Sequence, residues 1–304
     1  MKNNIKTAII IPYFGKFPKW IDLYLFSCSK NPYVDFLFFT DCKIPLKIYS
    51  NTIFFETTFQ EYCKRVSLAL GINFNPSSAY KLCDLKVFYG IIHKEELCNY
   101  TFWGFGDLDL IYGDMSSIIN EKTLKRYNII TTHADRIAGH FTIVKKECKY
   151  TTICYKIKDW VNKLEDERLY GLDEHDFTTL VYPLQKQIWR LHRLISRFYN
   201  IHHYKLFGIF NALTNLFMDV KIKEYNTSPL PNNGEIWRYD IKANKLITPT
   251  NTEIPYLHFL FFKKTPFWDN ENYWKDGFYQ ISNELLLNNG VVLIDNNKIT
   301  YKDE

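Results

Sequence analysis

No two of the chain's 7 Cys stand in C-x-x-C spacing, and their number is odd. That argues against both a structural zinc site and a disulfide framework. The thiols of Cys28, Cys42, Cys63, Cys83, Cys98, Cys148 and Cys154 are scattered, which suits a reducing compartment. Long hydrophobic runs are missing near the start: Ala8 to Ile11 is apolar but stops at Pro12. Such a run is too short for a signal-peptide core or a membrane span, so the expected location is the cytoplasm. A strong excess of one charge is missing too. Against 38 Lys and Arg stand 33 Asp and Glu, and the net +5 is too small to argue for a nucleic-acid partner. There is no internal repeat and no low-complexity tract.

What remains is the composition of an ordinary folded protein, 46% hydrophobic and 23% charged. The length of 304 residues suits one large α/β domain, or one domain with a helical appendage. Aromatic residues are plentiful at 17%. They serve equally as packing area and as stacking platforms for bases and sugars, so composition does not choose between the two.

Thr7 to Pro12 and Asp35 to Thr40 are continuous apolar runs of the kind found in strands buried on both faces. Lys19 to Ser29 between them has helical spacing, and Thr52 to Phe55 reads as a further strand. The opening is therefore β-α-β, the start of a doubly wound sheet. Phe59 to Leu70 reads as a helix stopped by Gly71, and a second helix is expected after Ser77 or Ser78. Thr101 to Phe105 reads as a strand running into Gly106-Asp107-Leu108-Asp109. A modest helix at Ser116 to Lys125, strands at Tyr127 to Thr132 and His140 to Val144, and a helix at Glu147 to Leu164 follow. Asp173 to Phe217 is helical, aromatic and basic, and Tyr256 to Phe262 is the clearest late strand.

Asp107 and Asp109 point to one face of an extended chain, and in a turn they converge on one hard cation. A divalent ion held by oxygen ligands neutralises the charge that grows on a departing pyrophosphate. With 18 Asp in the chain, roughly one Asp-x-Asp arises by chance, so an ordinary strand-end turn explains the motif alone. Its place after a strand in an α/β pattern favours a ligand site. Lys81 and Asp84, three apart on the expected helix, share a face. They read either as groups for phosphate and ribose or as a surface ion pair. Asp41 ends its strand at the same sheet edge and reads as a base or ribose acceptor or as a turn former.

The stretches Ala79-Tyr80-Lys81-Leu82-Cys83-Asp84-Leu85-Lys86 and Phe102-Trp103-Gly104-Phe105-Gly106-Asp107-Leu108-Asp109 resemble glycosyltransferases of the GT-A fold. The likeness is strongest to bacterial polysaccharide glycosyltransferases with an Asp-x-Asp sugar-binding motif. It covers roughly residues 5 to 180 well and the rest more loosely. The resemblance implies a Rossmann-like α/β fold with a mainly parallel central sheet flanked by helices. It implies a nucleotide-sugar donor, with UDP-hexose the expected one, and Mn²⁺ or Mg²⁺. Asp109 would then be the closer metal ligand, and Asp107 would face the ribose or bind the metal indirectly. Pro12 and Tyr13 would border the base, with Tyr13 either stacked on uracil or part of the core. Gly139 would let the backbone approach the donor sugar, and His140 would touch donor or acceptor. The acidic cluster Asp173-Glu174 would supply the residue that binds sugar hydroxyls or acts as base, although acidic residues also suit a helix start for the dipole alone. A late His258 would complete the metal site, since imidazole suits Mn²⁺, and Lys263 would reach the pyrophosphate.

Lys186, Arg190, Arg193 and Arg197 recur at helical spacing among Ile188, Trp189, Leu191, Leu194, Ile195 and Phe198. A basic amphipathic helix of this kind either lies on an anionic membrane or packs with a solvated charged face. The expected organisation is a nucleotide-sugar-binding core at 1–180, a basic helical insertion at 181–218, and a part at 219–304 that completes the active site. The expected activity is sugar transfer to a glycan or lipid-linked acceptor in surface polysaccharide synthesis, on the cytoplasmic side and peripherally on the inner face of the membrane through 186–198. A non-catalytic protein that binds nucleotide sugar or membrane is the alternative.

Overall fold

A computed structural model describes residues 5–198, 203–230, 232, 234–264, 290–295 and 299–302. The strands are β1 (Thr7–Pro12), β2 (Val34–Thr40), β3 (Thr52–Glu56), β4 (Phe102–Gly106), β5 (Leu110–Tyr112), β6 (Ile129–Thr131) and β7 (Phe141–Lys145). They continue as β8 (Val220–Ile222), β9 (Trp237–Asp240), β10 (Lys245–Ile247), β11 (Glu253–Ile254), β12 (Tyr256–His258), β13 (Val291–Ile294) and β14 (Ile299–Lys302). The α-helices are α1 (Ile21–Ser29), α2 (Phe59–Leu70), α3 (Tyr89–Ile92), α4 (Glu121–Arg126), α5 (Trp160–Glu165), α6 (Thr178–Val181), α7 (Gln185–Ile195) and α8 (His203–Phe217).

A 7-stranded sheet in the order β3-β2-β1-β4-β7-β6-β8 forms the centre. Its ladders are parallel from β3 to β4 and between β6 and β8, while β7 runs against both its neighbours. The apolar runs read from the sequence are buried because both sheet faces are covered. Ile10, Leu37, Phe39, Trp103 and Phe105 pack on one side, and Ile9, Ile11, Phe36, Phe38 and Phe102 on the other. The alternation follows from the two-residue period of a strand. The result is a mixed α/β architecture with a mainly parallel sheet flanked by helices, compatible with a Rossmann-like fold. A smaller antiparallel sheet, β11-β10-β9-β13-β14, packs through Trp237, Tyr239 and Val292 against Leu23 and Phe26 of α1.

Local chemistry explains several boundaries. Thr58 and Glu61 form a reciprocal capping box at the start of α2, and Gly71 ends it at φ 68°. Gly90 lets α3 lie on the Trp103 indole, where a Cβ would meet ring atoms at 2.5 Å. Other expectations need revision. The helix expected after Ser78 is a 3-10 helix over Ala79–Phe88, with the Ser78 hydroxyl capping Tyr80 N–H. The helix expected over Glu147 to Leu164 is two 3-10 turns followed by α5, because Asp159 sits at φ 55° and breaks the path. The late strand shortens to β12, since the chain turns after His258. The central sheet takes its edge strand β8 from beyond the helical segment.

Candidate metal centre

The site begins where β4 ends. Asp107-Leu108-Asp109 leaves the sheet and leads into β5, which pairs antiparallel with β12 in the register Leu110↔His258. That register brings His258 beside Asp109. Phe259 N–H donates to the Asp109 carbonyl at 2.8 Å, and the Trp20 indole donates to the Leu108 carbonyl at 2.7 Å. The connection is thus fixed at successive peptides, and its two carboxylates are aimed rather than free to swing. One ligand atom from each of Asp107, Asp109 and His258 lies within 4.8 Å of the other two.

The charges around this trio are arranged in pairs. Asp109 is buried, with one carboxylate oxygen 3.3 Å from His258 Nε2 and 2.5 Å from Lys263 Nζ. Burial alone would push its carboxyl upward, but His258 and Lys263 outweigh that and hold it well below the usual carboxylate range. Asp107 accepts from Lys86 Nζ at 2.6 Å, and the same ammonium donates to the Gly139 carbonyl at 2.9 Å. Burial would discharge Lys86, yet the Asp107 carboxylate beside it raises its pKa and keeps it protonated. On its far side His258 Nδ1 is 2.8 Å from the Ser228 hydroxyl. Either neutral tautomer fits: Nε2–H donates to Asp109 while Nδ1 accepts from Ser228, or Nδ1–H donates to Ser228 and leaves the Nε2 lone pair beside Asp109 for a cation. Two carboxylates and an imidazole are a donor set that fits Mn²⁺ or Mg²⁺, with the nitrogen favouring Mn²⁺.

The opposite wall comes from the turn before β7 and from a π-helical turn at Asp173–Phe177. Asp173 and Glu174 lie against Gly139: a Cβ there would meet Asp173 Oδ2 at 2.6 Å. Glycine is required by this close approach rather than by its backbone angle. Burial pushes the Asp173 carboxyl up to about 6, Lys86 opposing and Glu174 adding to the shift. Glu174 is more exposed and pairs with Arg136 Nε at 3.4 Å. His140 stacks on His258 with centroids 4.1 Å apart and bonds the Tyr256 hydroxyl at 3.0 Å through Nε2. Burial, then the neighbouring His258 and His133, hold His140 well below the usual imidazole range, so it is neutral.

The fold therefore gathers Asp107, Asp109, Gly139, His140, Asp173, Glu174, His258 and Lys263, which come from four separate stretches of sequence. Tyr13, just beyond Pro12 at the end of β1, also feels the site: burial, then Cys42 and Asp109, push its phenol upward. Its ring stacks on Phe17 with centroids 5.7 Å apart. Asp41 is exposed and accepts from Gly15 N–H at 2.7 Å, which ties the end of β2 to the loop after β1.

Lys81 and Asp84 stand apart from the others. Lys81 Nζ donates to Asp84 at 2.8 Å and to the carbonyls of Lys163 at 2.7 Å and Arg168 at 2.5 Å. Asp84 also accepts from the backbone N–H groups of Tyr170, Gly171 and Leu172. The pair is fully buried, so it fits neither the expected contact with phosphate and ribose nor a surface ion pair. Its capacity is spent inside the protein, on the turn that leads to Asp173. The lysine that does enter the site is Lys86, which the sequence reading passed over. The 3-10 helix sets Lys81 on Asp84, three residues on, and Lys86 on Asp107.

These features define a class: a mixed α/β protein with a carboxylate–imidazole cluster, flanked by two lysines, at the end of a central strand. Residues 9–288 match the Family of unknown function (DUF6625), and the chain belongs to that family. No curated protein matches it.

Proposed function

We propose that the protein is a metal-dependent glycosyltransferase of the GT-A type, moving a hexose from a nucleotide donor, UDP the first candidate, to a glycan or lipid-linked acceptor. The observation that carries this reading is the convergence of Asp107, Asp109 and His258. Each feature around it has a task in glycosyl transfer. The two carboxylates and His258 would hold Mn²⁺ or Mg²⁺, which supplies Lewis-acid neutralisation of the leaving diphosphate. Lys263 is the flexible cation at the same carboxylate and adds positive charge where the leaving group gathers negative charge. Lys86 fixes Asp107 and the Gly139 carbonyl together, which keeps the metal side and the sugar side in register. Asp173 is the candidate base. A carboxyl titrating near 6 is a better proton acceptor at neutral pH than an ordinary one, and Asp173 lies directly against Gly139. Tyr13 closes the edge where the base of the donor would lie. The reading puts the enzyme on the cytoplasmic side, where surface polysaccharides are assembled from nucleotide sugars.

The test is release of nucleoside diphosphate from a panel of nucleotide sugars, with Mn²⁺ or with EDTA, for the wild type and Asp109→Ala. Metal-dependent release from one donor, reduced at least about a hundredfold in the variant, is expected. If no donor is turned over and calorimetry with UDP and Mn²⁺ shows no heat of binding, the reading is wrong.

A further inference from the structure

One feature of the molecule has no part in the metal centre. From Phe177 to Met218 the chain contains no Asp or Glu, but it carries Lys186, Arg190, Arg193, Arg197 and Lys205. The described residues of this stretch include α6, α7 and α8. Ile188 and Phe207 are buried, and Trp189 meets Phe207 with ring centroids 5.2 Å apart. The Asn211 side chain ties α8 to the core through the Ala134 carbonyl at 2.7 Å. The outward side shows apolar side chains as well as charged ones. Leu184, Leu191 and Leu194 are exposed, Phe198 is 81% exposed, and on α8 Ile209, Leu216 and Phe217 are exposed as well.

The distribution around α7 is ordered. At 3.6 residues per turn, Lys186, Arg190, Arg193 and, continuing through the following turn, Arg197 fall within about 60° of one another. Leu191, Leu194 and Phe198 form the adjacent stripe, between the basic residues and the buried side that carries Ile188 and Ile195. All four basic residues are exposed. Apolar side chains flanked by basic ones, with no acid nearby, are the arrangement of a helix that lies in a membrane interface.

We propose that α7, the turn after it and α8 form a docking surface for an anionic lipid bilayer. The leucines and Phe198 would enter the boundary between headgroups and acyl chains, and the basic stripe would lie on the phosphates. Charge selects this occupant. A second copy placed symmetrically would set like charges against like charges. A nucleic acid would satisfy the arginines but would leave the leucines without a partner, since an aliphatic side chain offers no stacking surface. An anionic bilayer satisfies both stripes. Among the described residues no helix is long and apolar enough to cross a membrane, so this contact would be peripheral. The inference stands on the helical surface alone and does not depend on the reaction proposed above.

The experiment is flotation of the full-length protein with vesicles of phosphatidylcholine alone or with about 30 mol% phosphatidylglycerol, at low and at high salt. The wild type is expected to float with anionic vesicles at low salt, to stay behind with neutral ones, and to be released by salt. Replacing Lys186, Arg190, Arg193 and Arg197 together by Gln should weaken partition at least about tenfold. Replacing Leu191, Leu194 and Phe198 by Ser should do the same at low salt, which a purely electrostatic attachment would not show. These side chains are exposed, so unchanged circular dichroism and melting temperature are expected to show that both variants fold. The proposal is overturned if the folded wild type does not float with anionic vesicles, or if neither variant changes its partition. Sedimentation as a dimer that the Ser variant dissociates, or binding of an oligonucleotide without any binding of vesicles, would overturn it in favour of another occupant.

Discussion

Asp173 shows how one side chain can be costly to the fold and useful to a site. Its carboxyl is buried between Gly139 and Lys86 and titrates near 6, above the ordinary value of about 3.9. The sign follows from linkage. The folded protein holds the proton more tightly than the unfolded chain, so stability falls as pH rises through the unfolded value toward 6 and then levels off. A shift of this size corresponds to about 3 kcal/mol at most, and partial relaxation of the site will reduce it. Asp173→Asn is therefore expected to match the wild type in urea unfolding at pH 4 and to exceed it by about 1–3 kcal/mol at pH 8. The same variant should lose transfer activity by two orders of magnitude or more. In the wild type, kcat/KM should rise with pH through a limb near 6. A variant that is both less stable and fully active would remove Asp173 from the mechanism.

At the level of elements, the buried pair Lys81–Asp84 works as a clamp. Asp84, in the 3-10 helix, receives three backbone N–H groups from Tyr170, Gly171 and Leu172, and Lys81 binds the carbonyls of Lys163 and Arg168. The turn they hold runs directly into the π-helical turn that carries Asp173 and Glu174. Asp84→Ala would strand a buried ammonium and is expected to cost about 3–5 kcal/mol in urea unfolding, with activity falling alongside. An unchanged midpoint would show that the clamp carries no weight. The sequence discloses the elements on either side better than this one. The opening strands announce themselves because strands covered on both faces must be apolar throughout, and α2 is marked by its cap and by Gly71. The 3-10 helix is not legible, since it differs from an α-helix in hydrogen-bond partner rather than in composition. The segment after Glu147 misleads for a similar reason: its apolar spacing is helical, but nothing in its composition marks the positive φ of Asp159. By contrast, the trio Asp107, Asp109 and His258 is expected from the resemblance rather than from residue type alone, and the structure brings the three together.

For the whole molecule, the charge pattern of the candidate centre predicts a response to metal. Lys263 now neutralises Asp109, and a divalent ion seated between Asp107, Asp109 and His258 would bind only the folded chain. At a hundredfold excess over its dissociation constant, Mn²⁺ should stabilise the protein by about 2.7 kcal/mol and raise the melting temperature by several degrees. EDTA should reverse the effect, and Asp109→Asn should abolish it. A melting temperature that ignores Mn²⁺ would mean that the cluster is an internal ion-pair network only.

The pairing of β5 with β12 carries a consequence for biosynthesis. Nearly half the chain separates Asp109 from His258, and the two meet only through the ladder in which Leu110 faces His258. A chain emerging from the ribosome can complete every strand of the central sheet once residue 222 is out. Its two aspartates then wait without the imidazole or Lys263 until the ribbon closes. Chain order thus separates the strands of the central sheet from the completed cluster.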